Sequence, residues 1–260
     1  MTSVGPREGP PGGRRHIPLR EVTMPHRCPR AVRMAVLARV PYFQGLSPAE
    51  LDRIDRRMAT TSWPAGTHIF HAGSAAGHLH VVAEGRVKLS QVSATGTETL
   101  ADILVAGELF GGMGTLGQSA HRHTASALVP TCTLQIDQPT FRELLAEHPG
   151  VALRVLDDVA ERLARAQDDV GGQVTDTVAQ RVATALLRLA DKLGNDRGGR
   201  GILLEVPLSR SDLAGLARST PESVSRVMSQ WRRDGVIDSG RRWTAILDLS
   251  RLEREALGAG

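Results

Sequence analysis

Residues 208–233 read LSRSDLAGLARSTPESVSRVMSQWRR and contain two helix starts in close succession. Ser209, followed three residues later by Asp212, has the pattern of a capping box for a first short helix. Thr220 can cap a second helix, which would carry Pro221 in its first turn. Because only about four residues join the two helices, the stretch predicts a helix-turn-helix.

The second predicted helix carries side chains suited to reading bases in a major groove. Arg226 can donate two hydrogen bonds to guanine, and Glu222, one turn earlier, can accept one from cytosine or orient Arg226. Ser225 can add a hydrogen bond, and helix starts meet phosphates through their amides and hydroxyls. The alternative for Glu222 and Arg226 is a plain surface ion pair. The predicted DNA-binding residues of the two helices are Ser209, Ser219, Thr220, Glu222, Ser225 and Arg226.

A β-hairpin, or wing, is predicted directly after the second helix. The run Val236-Ile237-Asp238 and the run from Trp243 to Leu247 flank a short turn that contains Arg241 and Arg242. Arginines at such a tip are predicted to contact phosphates, which makes binding sensitive to salt but not to sequence. A merely solvated turn is the alternative.

The middle of the chain, from residue 63 to about residue 140, alternates short β-rich runs with glycines. The runs are His68–Phe70, Leu79–Val82, Val87–Leu89, Thr99–Leu104 and Thr133–Ile136. Regular short strands between turn residues are typical of a β-barrel or sandwich.

Residues 149–170 have helical periodicity, and the apolar positions form one narrow stripe. The stripe consists of Val151, Val155, Val159, Leu163, Ala166 and Val170. A narrow stripe between charged flanks favours a coiled-coil dimer seam, and a helix packed on its own barrel is the alternative. Gly171-Gly172 predicts a break and a hinge, after which a further helix runs from Thr177 to Leu193.

Charge is distributed unevenly along the 260 residues, although the whole chain has a net charge of only +4. Residues 1–33 hold seven Arg and two Glu. Residues 34–176 hold 11 basic and 16 acidic side chains, and residues 177–260 hold 14 basic and 10 acidic side chains. A basic C-terminal third beside an acidic middle indicates that the C-terminal part contacts a polyanion. The Gly- and Pro-rich residues 1–33 predict a disordered basic tail.

Several classes of protein are excluded or disfavoured by composition. No apolar run approaches the roughly 18–20 residues of a membrane span. Two cysteines, Cys28 and Cys132, cannot build a disulfide scaffold or a four-cysteine metal site. They fit a reducing compartment, so a cytoplasmic protein is expected.

In this order, the parts resemble the family of the cyclic-AMP receptor protein and the fumarate-nitrate regulator (CRP/FNR). The stretches PAGTHIFHAG at residues 64–73 and VAEGRVKL at residues 82–89 resemble the first jelly-roll strands of that family. The stretch GELFGGM at residues 107–113, with Arg122 downstream, resembles the phosphate-binding cassette of the family. The resemblance implies an α+β chain with four parts. These are the tail, a cyclic-nucleotide-binding-type jelly roll (34–148), a dimerisation helix with hinge (149–176) and a winged helix-turn-helix (177–260).

The resemblance further implies a transcription regulator and no enzyme. Such a regulator is a homodimer that binds a palindromic DNA site and contacts RNA polymerase. The run from Glu222 to Arg226 matches the Glu-x-x-Ser-Arg pattern of the fumarate-nitrate branch, which implies half-sites resembling TTGA. Twofold symmetry places the half-site centres about 10–11 base pairs apart.

The cassette departs from the members that bind cyclic AMP. They have Glu where this chain has Gly112, Ser where it has His123, and a Thr-Ser pair where it has Ala166-Gln167. Cyclic AMP is therefore not the expected effector, and an unknown small molecule or none at all remains open. The predicted effector-binding residues are Gly111, Gly112, Met113, Arg122 and His123. The isolated cysteines exclude the iron–sulfur cluster of the fumarate-nitrate branch.

The alternative function for the β-rich region is a metal or haem site. His78, His80 and Glu84 could hold a divalent metal on a cupin-like barrel. Haem ligation by a histidine is a related sensor alternative.

The turn of the predicted helix-turn-helix contains one irregularity. The usual turn glycine of the family aligns with Arg218. If that residue has a positive φ, an arginine there costs about 1 kcal/mol.

Overall fold

The structure, a computed structural model, describes residues 28–92, 98–112, 119–198, 201–240 and 243–258. Within one long helix, the side chains at 162, 163 and 165–175 are not described. Met113, Arg241 and Arg242 therefore lie outside the described residues. In the ranges that are described, no helix combines the length and the apolar character needed to cross a membrane.

Two short helices precede the barrel: α1 (Arg30–Leu37) and α2 (Pro48–Arg56), separated by a single 3-10 turn. A capping box of Ser47 and Glu50 starts α2. The predicted tail includes residues 28–33, but these residues are folded. Arg33 donates from Nε and Nη2 to the two carboxylate oxygens of the buried Asp55, at 2.7 and 2.8 Å. This bidentate pair fixes α1 on α2.

The barrel is a jelly roll made of two four-stranded antiparallel sheets, with strand orders β1-β8-β3-β6 and β2-β7-β4-β5. The strands are β1 (Ala59–Trp63), β2 (His68–Phe70), β3 (His78–Glu84), β4 (Val87–Val92), β5 (Glu98–Leu104), β6 (Leu109–Gly111), β7 (Thr124–Ala127) and β8 (Thr131–Asp137). All five predicted runs fall in strands. Three strands were missed: β1, β6 and β7. β1 and β7 consist mostly of Ala, Thr and Ser, so they have no apolar run to mark them, and β6 lies in the stretch that resembles the cassette.

Cys28 and Cys132 form a disulfide, with Cα atoms 6.5 Å apart. Both residues are buried in the core of the jelly roll. The expectation of two reduced thiols is therefore wrong in this structure, because the fold brings the start of α1 onto β8 across 104 residues of sequence. The disulfide removes the observation on which the prediction of a reducing compartment rested.

Two helices follow the barrel, α3 (Gln138–Glu147) and α4 (Pro149–Thr175). The predicted break at Gly171-Gly172 is wrong, since α4 continues through both glycines to Thr175. Glycine weakens a helix interior by only about 1 kcal/mol, which does not suffice to end it.

The apolar stripe of α4 divides between two surfaces. Val151 and Val155 are buried in the core of their own jelly roll, whereas Leu153 and Leu156 are 62% and 61% exposed. Val151 and Val155 are thus covered within one chain, which corrects their assignment to a dimer seam. The side chains of the stripe from Leu163 onward lie outside those that are described.

The C-terminal domain is a winged helix-turn-helix. Its elements are α5 (Val178–Leu193), β9 (Gly194–Asp196), β10 (Ile202–Leu204), α6 (Arg210–Leu216), α7 (Pro221–Arg233), β11 (Ile237–Gly240), β12 (Trp243–Ile246) and α8 (Leu249–Ala256). The strands form an antiparallel sheet in the order β11-β12-β10-β9. Thr177 caps α5 where the predicted helix begins, and the hairpin β11–β12 is the predicted wing.

Candidate DNA-binding surface and effector pocket

The two helix starts of the helix-turn-helix have the predicted capping geometry. The Ser209 hydroxyl accepts from the Asp212 backbone N–H at 3.0 Å, and the Asp212 carboxylate accepts from the Ser209 N–H at 2.9 Å. Thr220 caps α7 by accepting from the Ser223 N–H at 3.3 Å, and Pro221 occupies the first position. Local hydrogen bonds therefore define where both helices begin.

The reader helix α7 has one buried face and one exposed face. Val224, Met228 and Trp231 are buried in the core of the domain. Glu222 and Arg226 are exposed on the other side. Because these two side chains lie one turn apart, they present a donor and an acceptor together, as the base-reading prediction requires.

Two serines of α7, Ser223 and Ser225, lie close to this pair. The Arg226 guanidinium donates from Nη2 to the Ser223 hydroxyl at 3.2 Å, which holds it along the helix. Ser225 is half-buried. The structure thus gathers Thr220, Glu222, Ser225 and Arg226 on one helix.

The turn between α6 and α7 contains the predicted irregularity. Arg218 has a φ of 46°. Among the described residues, no other non-glycine residue has a positive φ. Ser219 follows it, and its backbone N–H donates to the carbonyl of Ala214 at 2.9 Å. The turn therefore requires a positive φ at this position although an arginine occupies it.

Arg210 is a basic residue of this surface that was not predicted from the sequence. It lies in the first turn of α6, and its Nη2 is 3.5 Å from the Ser239 hydroxyl of the wing strand β11. Desolvation and the nearby charge of Arg232 lower the pKa of Arg210. Its place directly after the Ser209 cap is the signal that could have identified it.

A cavity of about 920 Å³ lies between the jelly roll, α4 and α5. Phe70, Leu104 and Phe110 contribute apolar lining, and charged side chains from three elements surround them. Of the predicted effector-binding residues, Gly111, Arg122 and His123 line this cavity. Burial, followed by the charge of Arg122, lowers the pKa of His123.

Gly112, one of the predicted effector-binding residues, has no room for a side chain. A Cβ atom at this position would lie 2.0 Å from the Cβ of Ala76, far inside van der Waals contact. The carbonyl of Gly112 also accepts a hydrogen bond from the side-chain amide of Gln138. A glutamate therefore cannot replace Gly112 unless this backbone moves.

The histidines of the metal alternative do not gather into a ligand set. His80 is 6% exposed and its ring lies 5.1 Å from that of Phe110, whereas His78 is exposed. Burial, followed by the charges of His78 and His121, lowers the pKa of His80 to about 4. In the part of the chain that the structure describes, no three His, Cys, Asp or Glu side chains are placed to hold a metal ion.

Comparison with known proteins agrees with this arrangement. Residues 60–148 match the family described as the cyclic nucleotide-binding domain, and residues 180–255 match the Crp-like helix-turn-helix domain. The chain is 31% identical to the "Cyclic AMP receptor protein" of Thermus thermophilus, over 84% of this chain and 97% of that protein.

The chain belongs to the CRP/FNR family of transcription regulators. It is also 25% identical to a "CRP-like cAMP-activated global transcriptional regulator" of Mycobacterium tuberculosis, over 85% of this chain and 98% of that protein. A solved CRP/FNR-family transcriptional regulator from Thermus thermophilus has 26% identity and a TM-score of 0.63, over 78% of this chain and 100% of the other. As in the family, an effector-type jelly roll precedes a DNA-binding helix-turn-helix.

Proposed function

We propose that this regulator recognises an inverted repeat of TTGA-like half-sites through α7. The observation that carries the proposal is the exposure of Glu222 and Arg226, one turn apart, on a helix whose opposite face is buried. Arg226 reads guanine and Glu222 reads the paired cytosine edge or orients Arg226. Thr220 and Ser219 contact phosphate at the start of the helix.

Around this pair, basic side chains position the domain on the DNA backbone. Ser209 and Arg210, at the start of α6, are proposed to contact one phosphate, and Arg241 and Arg242 are proposed, from their place in the sequence, to contact another. Such contacts raise affinity for any DNA sequence and weaken with salt. Burial, followed by the charge of Arg232, lowers the pKa of Arg210, and a bound phosphate would favour its charged form.

We propose that the active form is a homodimer whose seam runs along the exposed face of α4. Leu153, Leu156 and Ala160 are exposed there, and Leu163 continues their spacing of three and four residues. That spacing is the heptad pattern of a two-stranded coiled coil. A twofold axis along α4 places two reader helices one DNA turn apart. RNA polymerase is the further partner that a CRP/FNR regulator contacts.

The cavity beside Arg122 is proposed as the effector site, and cyclic AMP is not proposed as its ligand. Support comes from Gly112, which supplies no ribose-binding carboxylate and where a Cβ atom would lie only 2.0 Å from the Cβ of Ala76. An effector that uses Arg122 and His123, or activity without any effector, is compatible with the remaining residues.

Selection of bound sequences from random DNA tests the site. We expect enrichment of two inverted TTGA-like half-sites with centres about 10–11 base pairs apart. Titration of the purified protein with cyclic AMP in a calorimeter is expected to show no binding at concentrations that saturate a cyclic-AMP-dependent relative. Enrichment of a single unpaired motif would contradict the dimeric site, and saturable cyclic-AMP binding would contradict the effector proposal.

A further inference from the structure

The two cysteines of the chain join parts of the fold that differ in how firmly they are held. Cys132 lies in β8, which pairs with β1 on one side and with β3 on the other. Cys28 lies two residues before α1 and belongs to no helix or strand. Because backbone hydrogen bonds fix both edges of β8, Cys132 is the anchored partner of the disulfide and Cys28 is the partner that can move.

The start of α1 has few contacts of its own. Pro29 at the N-cap makes no side-chain capping hydrogen bond, and the first turn of this fully described helix contains no acidic residue. Residues 29–31 are exposed, and the buried Val36 and Leu37 lie at the opposite end of the helix. Because a helix of eight residues is marginal without packing, the start of α1 is the part of this region that opens most readily.

Arg33 is the noncovalent contact that keeps the Cys28 segment closed. Its Nη1 donates to the carbonyl of Cys28 at 3.2 Å, while Nε and Nη2 donate to the carboxylate of Asp55 in α2. The hydrogen bond with Asp55 raises the pKa of Arg33, so the guanidinium stays charged in this place. Arg33 therefore ties the residue before α1 to α2 and controls access to the disulfide.

The core around the sulfur atoms accommodates both the disulfide and two thiols. Cys28 and Cys132 are 4% and 2% exposed, so an external thiol does not reach either sulfur while the start of α1 is closed. Free cysteine packs in apolar cores as a small apolar side chain, so reduction leaves no charge in the core. Because the chain has two cysteines in all, the reduced pair re-forms the same bond when it is oxidised within the chain.

We propose that Cys28 and Cys132 form a reversible redox site, which holds the start of α1 on β8 when oxidised and releases it when a dithiol reduces it. After α1 has opened at its start, a thiolate of the dithiol attacks the sulfur of Cys28. A mixed disulfide forms, and the Cys132 thiolate leaves and takes up a proton. The second thiolate of the reductant then attacks the mixed disulfide, which returns Cys28 as a thiol and leaves the reductant as a disulfide.

Two electrons thus pass from the dithiol to the cysteine pair, and a disulfide oxidant reverses the reaction. Neither cysteine lines the cavity beside Arg122, so the site acts at a separate place in the jelly roll. The proposal does not rest on the DNA site or on the effector cavity.

Alkylation of the reduced, folded protein with iodoacetamide, mapped by mass spectrometry, tests which end opens. Cys28 is expected to react at least about tenfold faster than Cys132, because the start of α1 opens more readily than a paired strand. The lone thiol of C132A should likewise react faster than that of C28A. Equal rates, or faster reaction of Cys132, would overturn the opening at α1. Absence of the disulfide after incubation with oxidised glutathione would overturn the redox site itself.

The rate of reduction by dithiothreitol tests the role of Arg33. In R33M the charged hydrogen bonds are lost, and reduction is expected to be about tenfold faster or more. R39M is the matched control, because Arg39 is exposed just beyond the end of α1 and its loss removes the same charge. It should be reduced at the wild-type rate. Equal rates in all three proteins would overturn the opening step.

Hydrogen exchange of the oxidised and reduced wild type measures the release without any substitution. Amides of α1 are expected to exchange at least about tenfold faster in the reduced protein, while those of α5 and α7 stay unchanged. Unchanged exchange in α1 would overturn the release. Faster exchange in every element would show a disulfide that stabilises the whole fold, which would overturn a local redox site. Failure of the proposed TTGA-like site would leave all three measurements unaffected.

Discussion

Replacement of Leu156 by glutamate should dissociate the proposed dimer. Leu156 is 61% exposed in the single chain, so a partner helix can still bury about three-fifths of its surface. Full burial of a leucine contributes about 1.5–3 kcal/mol, which gives about 1–2 kcal/mol per protomer and about 2–4 kcal/mol for the two copies in the dimer. Each 1.4 kcal/mol is a factor of ten, so the dimer Kd should rise about 30- to 700-fold.

Sedimentation equilibrium over a concentration series measures this Kd directly. The control is L257E, since Leu257 is 82% exposed but lies after α8, away from α4. It adds the same charge and should leave the Kd unchanged. A dimer of unaltered Kd in L156E and in the double variant with Leu153→Glu would refute the seam along α4. Dissociation by L257E instead would place the interface at the C-terminus.

Three further predictions concern single side chains. Arg226→Ala should lose about 1–3 kcal/mol of preference for TTGA-like over random DNA while keeping weak, salt-sensitive binding, as measured by fluorescence anisotropy. Arg218→Gly should raise the free energy of unfolding by about 0.5–1 kcal/mol in urea titrations, because relief of the left-handed strain exceeds the extra entropy of glycine in the unfolded chain. The free energy of unfolding should fall by about 3 kcal/mol as the pH drops from 6.5 to about 4. The unfolded chain takes up a proton on His80 at its ordinary pKa, whereas burial in the folded protein keeps His80 neutral until about pH 4.

Each of these predictions has a matched comparison. Arg233→Ala removes the same charge from the end of α7 and should weaken all DNA equally, so equal loss of preference in both variants would contradict the role of Arg226. Ala217→Gly, at an ordinary φ of −85°, should destabilise, and destabilisation by Arg218→Gly as well would show that no strain is relieved. His80→Leu should flatten the pH dependence between 6.5 and 4, and an unchanged slope would assign it to other groups.

Local signals were readable from the sequence because their physical causes lie within a few residues. Ser209 and Thr220 cap helices through side chains that reach backbone amides three residues away, and the structure has both caps. The strand runs of β3, β5 and β8 were visible for the same reason, since apolar β-rich residues mark them directly. The order of the parts then identified the family.

Contacts between distant segments were not readable in this way. The disulfide of Cys28 with Cys132 depends on which strand lies beneath α1, and the burial of Val151 and Val155 depends on which face of α4 meets the barrel. Periodicity showed that α4 has an apolar stripe, but an apolar stripe fits a barrel and a partner helix equally well. Only the packed structure separates the buried valines from the exposed leucines.

The sequence by itself determined the family, the order of the domains and the reader helix, because caps, turn residues and periodicity are short-range properties of the chain. Tertiary structure alone decided how the two domains meet. Leu100 and Ile103 lie in a strand of one domain and complete the core of the other, and no local pattern distinguishes them from residues that fill their own barrel. From the sequence, Gly215 is only an unfavourable residue inside a short helix. The structure explains it, because the backbone of β5 packs directly against its Cα.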